Sequence, residues 1–257
     1  MNAVVKSKTP TTRPQPPEAI SAPPAPRETR LRRLFSALFG IDVRTLALFR
    51  IGMGLLIIAD LITRGVDMQA LYTEAGVMPQ AALSKFFSTH AIFSLHFLNG
   101  SLTAQVILFC IAGLFALALI IGYQTRWAAF VSWALMLSLQ SRNPLVLTGG
   151  DNVFRVLMFW SLFLPLGACW SLDRALSKTP AQVPQRIVSM GSAGLLLQVC
   201  IIYWFTALLK WGVTWHDNTA VYYALSVDQY AKPLAYALLP HRDLLRFLTF
   251  VTWRLEM

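Results

Sequence analysis

Residues 106–122 read VILFCIAGLFALALIIG, an unbroken apolar run that decides the fold class of this 257-residue chain. The hydrocarbon core of a bilayer is about 30 Å thick, and a helix needs roughly 20 mostly apolar residues to cross it. Together with the residues just before it, the run reaches that length over about 102–122. The sequence therefore predicts a membrane-spanning helix here.

Four further stretches have a similar character, which predicts five spans in all. They lie at about 45–63 (TLALFRIGMGLLIIADLIT), 127–143, 153–170, where Pro165 is expected to kink the helix, and 189–209. A sixth apolar stretch begins near Leu244 and stops at Met257, before it could span. It is either a partial sixth span of a chain that is cut off there or an amphipathic helix resting on the membrane. The predicted fold class is all-α, a polytopic integral membrane helical bundle.

The composition supports this fold class. Hydrophobic residues make up 56% of the chain and charged residues only 13%, with a mean hydropathy of +0.54, whereas soluble domains carry about 25% charged residues. A soluble globular domain, a disordered chain, a collagen and a coiled coil are therefore excluded. The net charge of +10 does not indicate nucleic-acid binding, because eight of the 22 basic residues precede residue 45 and form no folded patch. The expected partner is the lipid bilayer.

The chain divides near residue 30. Residues 1–30 hold seven of the fourteen prolines and almost no large apolar side chain, which predicts a disordered, basic, Pro-rich tail. Residues 31–257 form the predicted transmembrane domain, which opens with arginines interleaved with Leu34, Phe35 and Leu38. That pattern predicts a short basic helix lying on an anionic membrane face.

Loop charges predict the orientation, because cytoplasmic loops carry an excess of Lys and Arg. With the N-terminus inside, twelve such residues lie inside and five outside: the eight of the tail with Arg126, Arg174, Lys178 and Arg186, against Arg64, Lys85, Arg142, Lys210 and Lys232. The sequence therefore predicts a multi-pass protein of the cell membrane (the inner membrane in a Gram-negative cell). Its N-terminus is cytoplasmic and its functional face is external.

Three charged residues lie in or beside the first predicted span: Arg50, Asp60 and Arg64. Charges at membrane depth cost several kcal/mol each, so each needs a partner or a function. Around a helix, Asp60 and Arg64 lie about 40° apart, and Arg50 lies about 40° further round from Arg64. All three therefore share one face. Asp60 can pair with Arg64 one turn away, whereas Arg50, about 15 Å deeper, needs a partner from another helix. The three charges either line a polar cavity or only fix the helix register.

The segment TGGDNVFR, residues 148–155, precedes and begins the fourth predicted span. Asp151 or Asn152 is expected to be the N-cap, and Arg155 follows Asp151 by one turn, at the spacing of an ion pair. Helix capping explains the segment. The same turn also lies at the predicted mouth of an external cavity.

The segment YWFTALLKWGVTWHD, residues 203–217, places Lys210 at the end of the fifth predicted span. Its neighbours include Trp204, Phe205, Trp211 and Trp215. A lysine that loses hydration in apolar surroundings can serve as a general base near neutral pH. The alternative is an interfacial lysine that reaches water between belt tryptophans.

Other chemistries lack a motif in this sequence. Cys110, Cys169 and Cys200 all lie in apolar runs and are expected to be buried apolar side chains. The histidines lack the spacing of metal ligands, so neither a metal site nor a disulfide framework is predicted. No motif of a hydrolase, a nucleoside triphosphatase or a dinucleotide-binding protein is found.

Four segments, in this order, resemble a known family: RTLALFRIGMGLLIIADLITR, LYTEAGVMP, RNPLVLTGGDNVFRVLMFWSLFLPLGACWSLDRAL and FTALLKWGVTWHD. Over about residues 42–257 the chain is similar to the HTTM family, the transmembrane module of vitamin K-dependent gamma-carboxylases and of bacterial relatives. In those carboxylases, the resemblance implies, a lysine deprotonates reduced vitamin K. Oxygenation to the epoxide then yields the base that removes a glutamate γ-proton before CO2 adds. Lys210, with Trp215 five residues on, matches that lysine, and reduced vitamin K or menaquinone is the implied cofactor.

The sequence departs from the carboxylases in two ways. Gly150 or Asp151 stands where they have an essential histidine, and their large extracytoplasmic substrate domain is not present before Met257. The resemblance thus implies lysine-base chemistry on a quinone or another lipid-soluble substrate, with Arg50 and Arg155 as buried charge partners and Asp151 at the cavity mouth. The alternative is a non-catalytic accessory or immunity protein whose charges only fix helix packing.

Overall fold

The protein is almost entirely helical, which confirms the predicted all-α class. The computed structural model describes residues 30–86, 94–178, 184–227 and 233–256, so nearly all of the predicted tail lies outside the described residues. Within them the helices are α1 (Arg30–Phe39), α2 (Val43–Val66), α3 (Met68–Tyr72), α4 (Gln80–Phe86), α5 (Leu102–Ile121), α6 (Thr125–Arg142), α7 (Gly149–Ser161), α8 (Leu172–Ala175), α9 (Met190–Leu209), α10 (Val213–His216), α11 (Ala220–Ser226), α12 (Pro233–Leu238) and α13 (Arg242–Glu256). Strands β1 (Ile41–Asp42) and β2 (Arg186–Ile187) pair antiparallel.

Three of these helices, α2, α5 and α9, are long and apolar enough to cross a membrane. They match the first, second and fifth predicted spans. Helix α6 covers the third predicted span, but polar and charged side chains leave it less apolar than those three. Among the described residues the structure therefore has three helices that qualify as spans by length and composition, fewer than the five predicted.

The fourth predicted span is shorter than expected. Helix α7 ends at Ser161, so the prediction of a kinked helix that continues to residue 170 is wrong. The amides of Leu162, Phe163 and Leu164 bond three residues back, in tight turns that stop at Pro165. Proline has no N–H with which to continue a helix, and it disfavours helical geometry in the residue before it.

Hydrogen bonds define two ends of the helical bundle. At one end, called the Arg64 end, the end of α2 meets the start of α7, and the end of α6 meets the loop before α5. At the other, called the Arg50 end, the start of α2 meets the loop after α7, and the turn between α5 and α6 meets α8. Successive long helices therefore run in alternating directions.

The core lies between α2, α5, α6, α7 and α9. Its central side chains are at most 5% exposed, and they include Leu46, Met53, Ile57, Leu119 and Met158. Gly54 allows α2 to approach α5 closely, because a side chain there would overlap Ile120. The cysteines do not follow the predicted burial: Cys110 and Cys200 are exposed on α5 and α9, and Cys169 is half-buried. Exposed apolar side chains on such helices are those that face lipid in a membrane protein.

The remaining elements flank the bundle. Helix α1 is followed by β1, which pairs with β2 just before α9. Helix α13 covers the sixth apolar stretch and packs against α11, with Leu245 and Thr249 buried. Its 15 residues span about 22 Å at the rise of an α-helix. This is short of a full span, as the sequence predicts.

Candidate functional site

Four polar side chains meet at the Arg64 end and form what we call the Arg64 cluster: Asp60, Arg64, Tyr72 and Asp151. Arg64 Nε donates to both carboxylate oxygens of Asp60 at 2.8 Å. Its Nη1 donates to the Tyr72 hydroxyl at 3.0 Å, and its Nη2 donates to Asp151 Oδ1 at 2.5 Å. The predicted Asp60–Arg64 pair is therefore present, and one guanidinium joins α2, α3 and α7.

Asp151 is held by the turn that begins α7. Its Oδ2 accepts hydrogen bonds from the backbone N–H of Thr148 at 2.6 Å and from the Thr148 hydroxyl at 3.0 Å. The N-cap is Thr148, so the expectation that Asp151 or Asn152 caps the helix is wrong, and Asp151 is the third helical residue. A carboxylate in the first turn is stabilised by the helix dipole. The same carboxylate thus binds the N-cap residue Thr148 and Arg64.

Arg155 reaches the cluster indirectly. The expected pair with Asp151 is replaced by a bond from Arg155 Nε to Gln140 Oε1 on α6, at 2.9 Å. Gln140 Nε2 lies 3.4 Å from the backbone carbonyl of Asp151, to which it donates. With Arg155 included, the cluster holds two cations, Arg64 and Arg155, and two carboxylates, Asp60 and Asp151.

Arg142 was missed as a site residue by the sequence argument, which counted it only as a loop charge. Its side chain is fully buried, and it donates to the carbonyls of Met78 at 2.8 Å and Thr73 at 3.1 Å. Glu74 lies 3.4 Å away. Arg142 therefore fastens the segment after α3 to the end of α6. The sequence does not indicate which backbone carbonyls an arginine binds. It does place Arg142 at the end of the third predicted span, directly before Asn143 and Pro144.

His96 is the second residue that the sequence argument passed over. It is 2% exposed, and its Nδ1 lies 2.9 Å from the Ser138 hydroxyl of α6. Burial, with the nearby positive charge of Arg142, lowers the pKa of His96 to about 4. His96 is therefore neutral at physiological pH. Burial also raises the pKa of Tyr72, so its hydroxyl keeps its proton beside Arg64.

Arg50 lies at the opposite end of α2 from Arg64, so it does not join the Arg64 cluster. It is fully buried, and its Nη2 donates to the carbonyl of Trp170 at 2.6 Å. Its partner is thus a loop carbonyl rather than a side chain of another helix. Gly122 provides the space for this guanidinium, since a side chain there would overlap it. The Nε and Nη1 atoms of Arg50 have no hydrogen-bond partner among the described residues.

Lys210 and Trp215 lie together on a separate segment. Lys210 is half-buried at the C-cap of α9. Its Nζ lies 4.9 Å from the centre of the Trp215 ring, which belongs to the four-residue helix α10. An aromatic face attracts an ammonium group at this distance. The contacts of Arg64 are with Asp60, Tyr72 and Asp151, and those of Lys210 include Trp215. The predicted site residues therefore form three groups rather than one.

The cavity that Asp60 lines is small. The cavity lined by Asp60, His96 and Ser132 has a volume of about 10 Å³, which suffices for one water molecule. A cavity of about 540 Å³ lies instead at the Arg50 end. The external cavity whose mouth is predicted at Asp151 is therefore not the large cavity of the structure, which lies at the Arg50 end.

Comparison with known proteins gives no match. No family model matches this chain, and neither a curated protein nor a solved structure is similar to it. The geometry of the charged groups is thus the basis for a functional proposal. This geometry can hold helices in a fixed arrangement and neutralise the charges of Asp60, Arg64 and Asp151.

Proposed function

We propose that this chain is an integral membrane protein of the HTTM type whose buried charges fix helix packing, in a non-catalytic accessory role. The observation that carries the proposal is the bonding of Arg64 to Asp60, Tyr72 and Asp151 on three different helices. Carboxylates and a guanidinium that satisfy one another are not free to act on a substrate. An immunity or accessory protein needs a stable fold in the membrane and no reacting group.

The proposed topology has five spans, α2, α5, α6, α7 and α9, with the N-terminus in the cytoplasm. The helices alternate in direction, so one end of the bundle faces the cytoplasm. If this is the Arg50 end, Arg126, Arg174 and Arg186 lie inside, in agreement with the excess of Lys and Arg in cytoplasmic loops. Helix α7 is about 20 Å long by its 13 residues, and the turns that follow it to Trp170 complete the crossing. In this topology α13 lies on the external surface of the same membrane.

Cysteine labelling in intact cells tests this topology. In a chain whose native cysteines are alanine, a membrane-impermeant maleimide should label Lys85→Cys on intact cells and Leu176→Cys only after lysis. Both positions are exposed in the structure, so both are accessible to the reagent. Labelling of Leu176→Cys on intact cells would contradict the proposed orientation.

A second function is lysine-base chemistry on a quinone or another lipid-soluble substrate, as the family resemblance implies. The observation that favours it is the half-buried position of Lys210 against the Trp215 ring at the end of an apolar helix. Reduced menaquinone is the cofactor for which the resemblance argues.

One experiment separates the two functions. The purified full chain is incubated with reduced menaquinone and O2, and the epoxide is measured by mass spectrometry. The accessory role predicts no epoxide above the level of the buffer. Epoxide that forms with the native chain and is lost in Lys210→Met, with unchanged thermal unfolding, would establish the catalytic role instead.

A further inference from the structure

The largest cavity described above lies between the start of α6 and the loop that follows α7. Its buried lining is mainly apolar and includes Ala129, Leu164 and Leu166, each at most 5% exposed. Its exposed lining includes Arg126 and Trp127, the latter 65% exposed. The cavity thus combines an apolar interior with a cation and an indole ring at its opening.

The position of this cavity follows from the helix that precedes it. Helix α6 begins four residues after α5 ends at Ile121, and α5 is one of the helices able to cross a membrane. The cavity is therefore level with the boundary of the bilayer, on the proposed membrane placement of α5. Tryptophan and arginine are the side chains that favour this boundary.

An acidic residue also lines the cavity, but its charge is already compensated. Asp173 accepts hydrogen bonds from the backbone N–H groups of Gln124 and Thr125 and from the Thr125 hydroxyl, at 2.7 to 2.8 Å. Burial alone would raise the pKa of Asp173, but these bonds and the charge of Arg50 outweigh it, and the pKa lies below its ordinary value. The first amides of α6 are thus occupied by Asp173. Arg126, by contrast, has no ion-pair partner in the part of the chain that the structure describes.

We propose that this cavity binds one anionic phospholipid, with the headgroup phosphate at Arg126 and an acyl chain against Ala129 and Leu164. An arginine donates readily to phosphate oxygens, and basic sites between membrane helices select anionic headgroups. The volume of about 540 Å³ is in the range of small-molecule sites. The apolar lining favours a lipid over a free phosphate ion, because an acyl chain can pack against Ala129 and Leu164 and a phosphate ion cannot.

Lipid retention by the full chain tests the proposal. The protein is purified in detergent, mixed with phosphatidylglycerol or phosphatidylcholine, and analysed by native mass spectrometry. The native chain should retain phosphatidylglycerol in preference to phosphatidylcholine, and Arg126→Gln should weaken the retention of phosphatidylglycerol about fivefold. Arg126→Lys should keep most of the preference.

Arg44→Gln is the matched control, because Arg44 is an exposed arginine near the same end that does not line the cavity. It should leave lipid retention unchanged. Three results would overturn the proposal: equal retention of the two lipids, an equal loss in Arg44→Gln, or retention of inorganic phosphate as strong as that of phosphatidylglycerol. If Arg126→Gln does not fold, the lipid comparison and the phosphate comparison with the native chain still decide.

The inference rests on the proposed membrane placement, so the two are tested separately. The chain is reconstituted into phosphatidylcholine vesicles and floated through a density gradient after a carbonate wash. Failure to float contradicts the proposed function. Flotation without a preference for phosphatidylglycerol in the retention assay contradicts only the lipid site.

Discussion

Arg64 Nη2 donates a hydrogen bond to Asp151 Oδ1 across 2.5 Å, and this contact joins the end of α2 to the first turn of α7. The two side chains are only 11% and 8% exposed. A buried ion pair is weak evidence of net stability, but the loss of one partner leaves a costly unpaired charge. The pair therefore favours one arrangement of these helices over others.

The Thr148 hydroxyl orients the carboxylate that Arg64 binds. Thr148→Ala removes the hydroxyl donor to Asp151 and should lower the free energy of unfolding by about 1 kcal/mol. Thr148→Ser keeps that donor and should stay close to the native value. Chemical unfolding of the chain in detergent, followed by circular dichroism, measures both. Equal destabilisation by the two substitutions would show that the hydroxyl does not act this way.

His96 should make stability fall in weak acid. Its folded pKa, about 4, lies below the ordinary value of 6.5, so the folded state binds its proton less well than the unfolded state does. The resulting contribution is present above pH 6.5 and is lost as the pH falls from 6.5 towards 4. The denaturant midpoint of unfolding of the native chain should therefore fall as the pH is lowered through this range.

His96→Gln should flatten that decline, because glutamine does not titrate. Ser138→Ala is the control: it removes the hydroxyl beside His96 Nδ1 but keeps the buried imidazole, so the decline should persist. An unchanged slope in His96→Gln would assign the pH dependence to other groups.

Gly122 should tolerate no side chain. It ends α5 with a φ of +73°, and the space beside it holds the Arg50 guanidinium. Gly122→Ala should therefore cost about 2 kcal/mol or more in the free energy of unfolding, from left-handed strain and from overlap. Gly113→Ala, on the same helix and with open space around the new methyl group, should be nearly neutral. Similar losses in both variants would contradict the stated role of Gly122.

The sequence predicted the long helices well where apolar runs are continuous. The runs that became α2, α5 and α9 have little competing signal, so their bounds are close to the predicted ones. It failed at α7, because a proline in an apolar stretch can either kink a helix or end it. The amino acids before Pro165 do not indicate which outcome occurs. In the structure the helix ends, because Leu162 to Leu164 form tight turns.

Helical spacing predicted one pair of the candidate site correctly and one wrongly, because Arg155, one turn after Asp151, bonds to Gln140 instead. The Asp60–Arg64 pair follows from helix periodicity alone. The partner of Arg50 is a loop carbonyl at Trp170, and Arg142 likewise binds the carbonyls of Met78 and Thr73. Every residue carries a carbonyl, so sequence cannot indicate which one an arginine reaches.

The most direct test of the account is a double-mutant cycle between Arg64 and Asp151, with Arg64→Met, Asp151→Asn and the double variant unfolded in detergent. Each single substitution should cost about 3 kcal/mol, and the double variant should be less destabilised than the sum of the two by about 1 to 2 kcal/mol. Additive effects, with a coupling energy near zero, would contradict the claim that this pair holds α2 against α7.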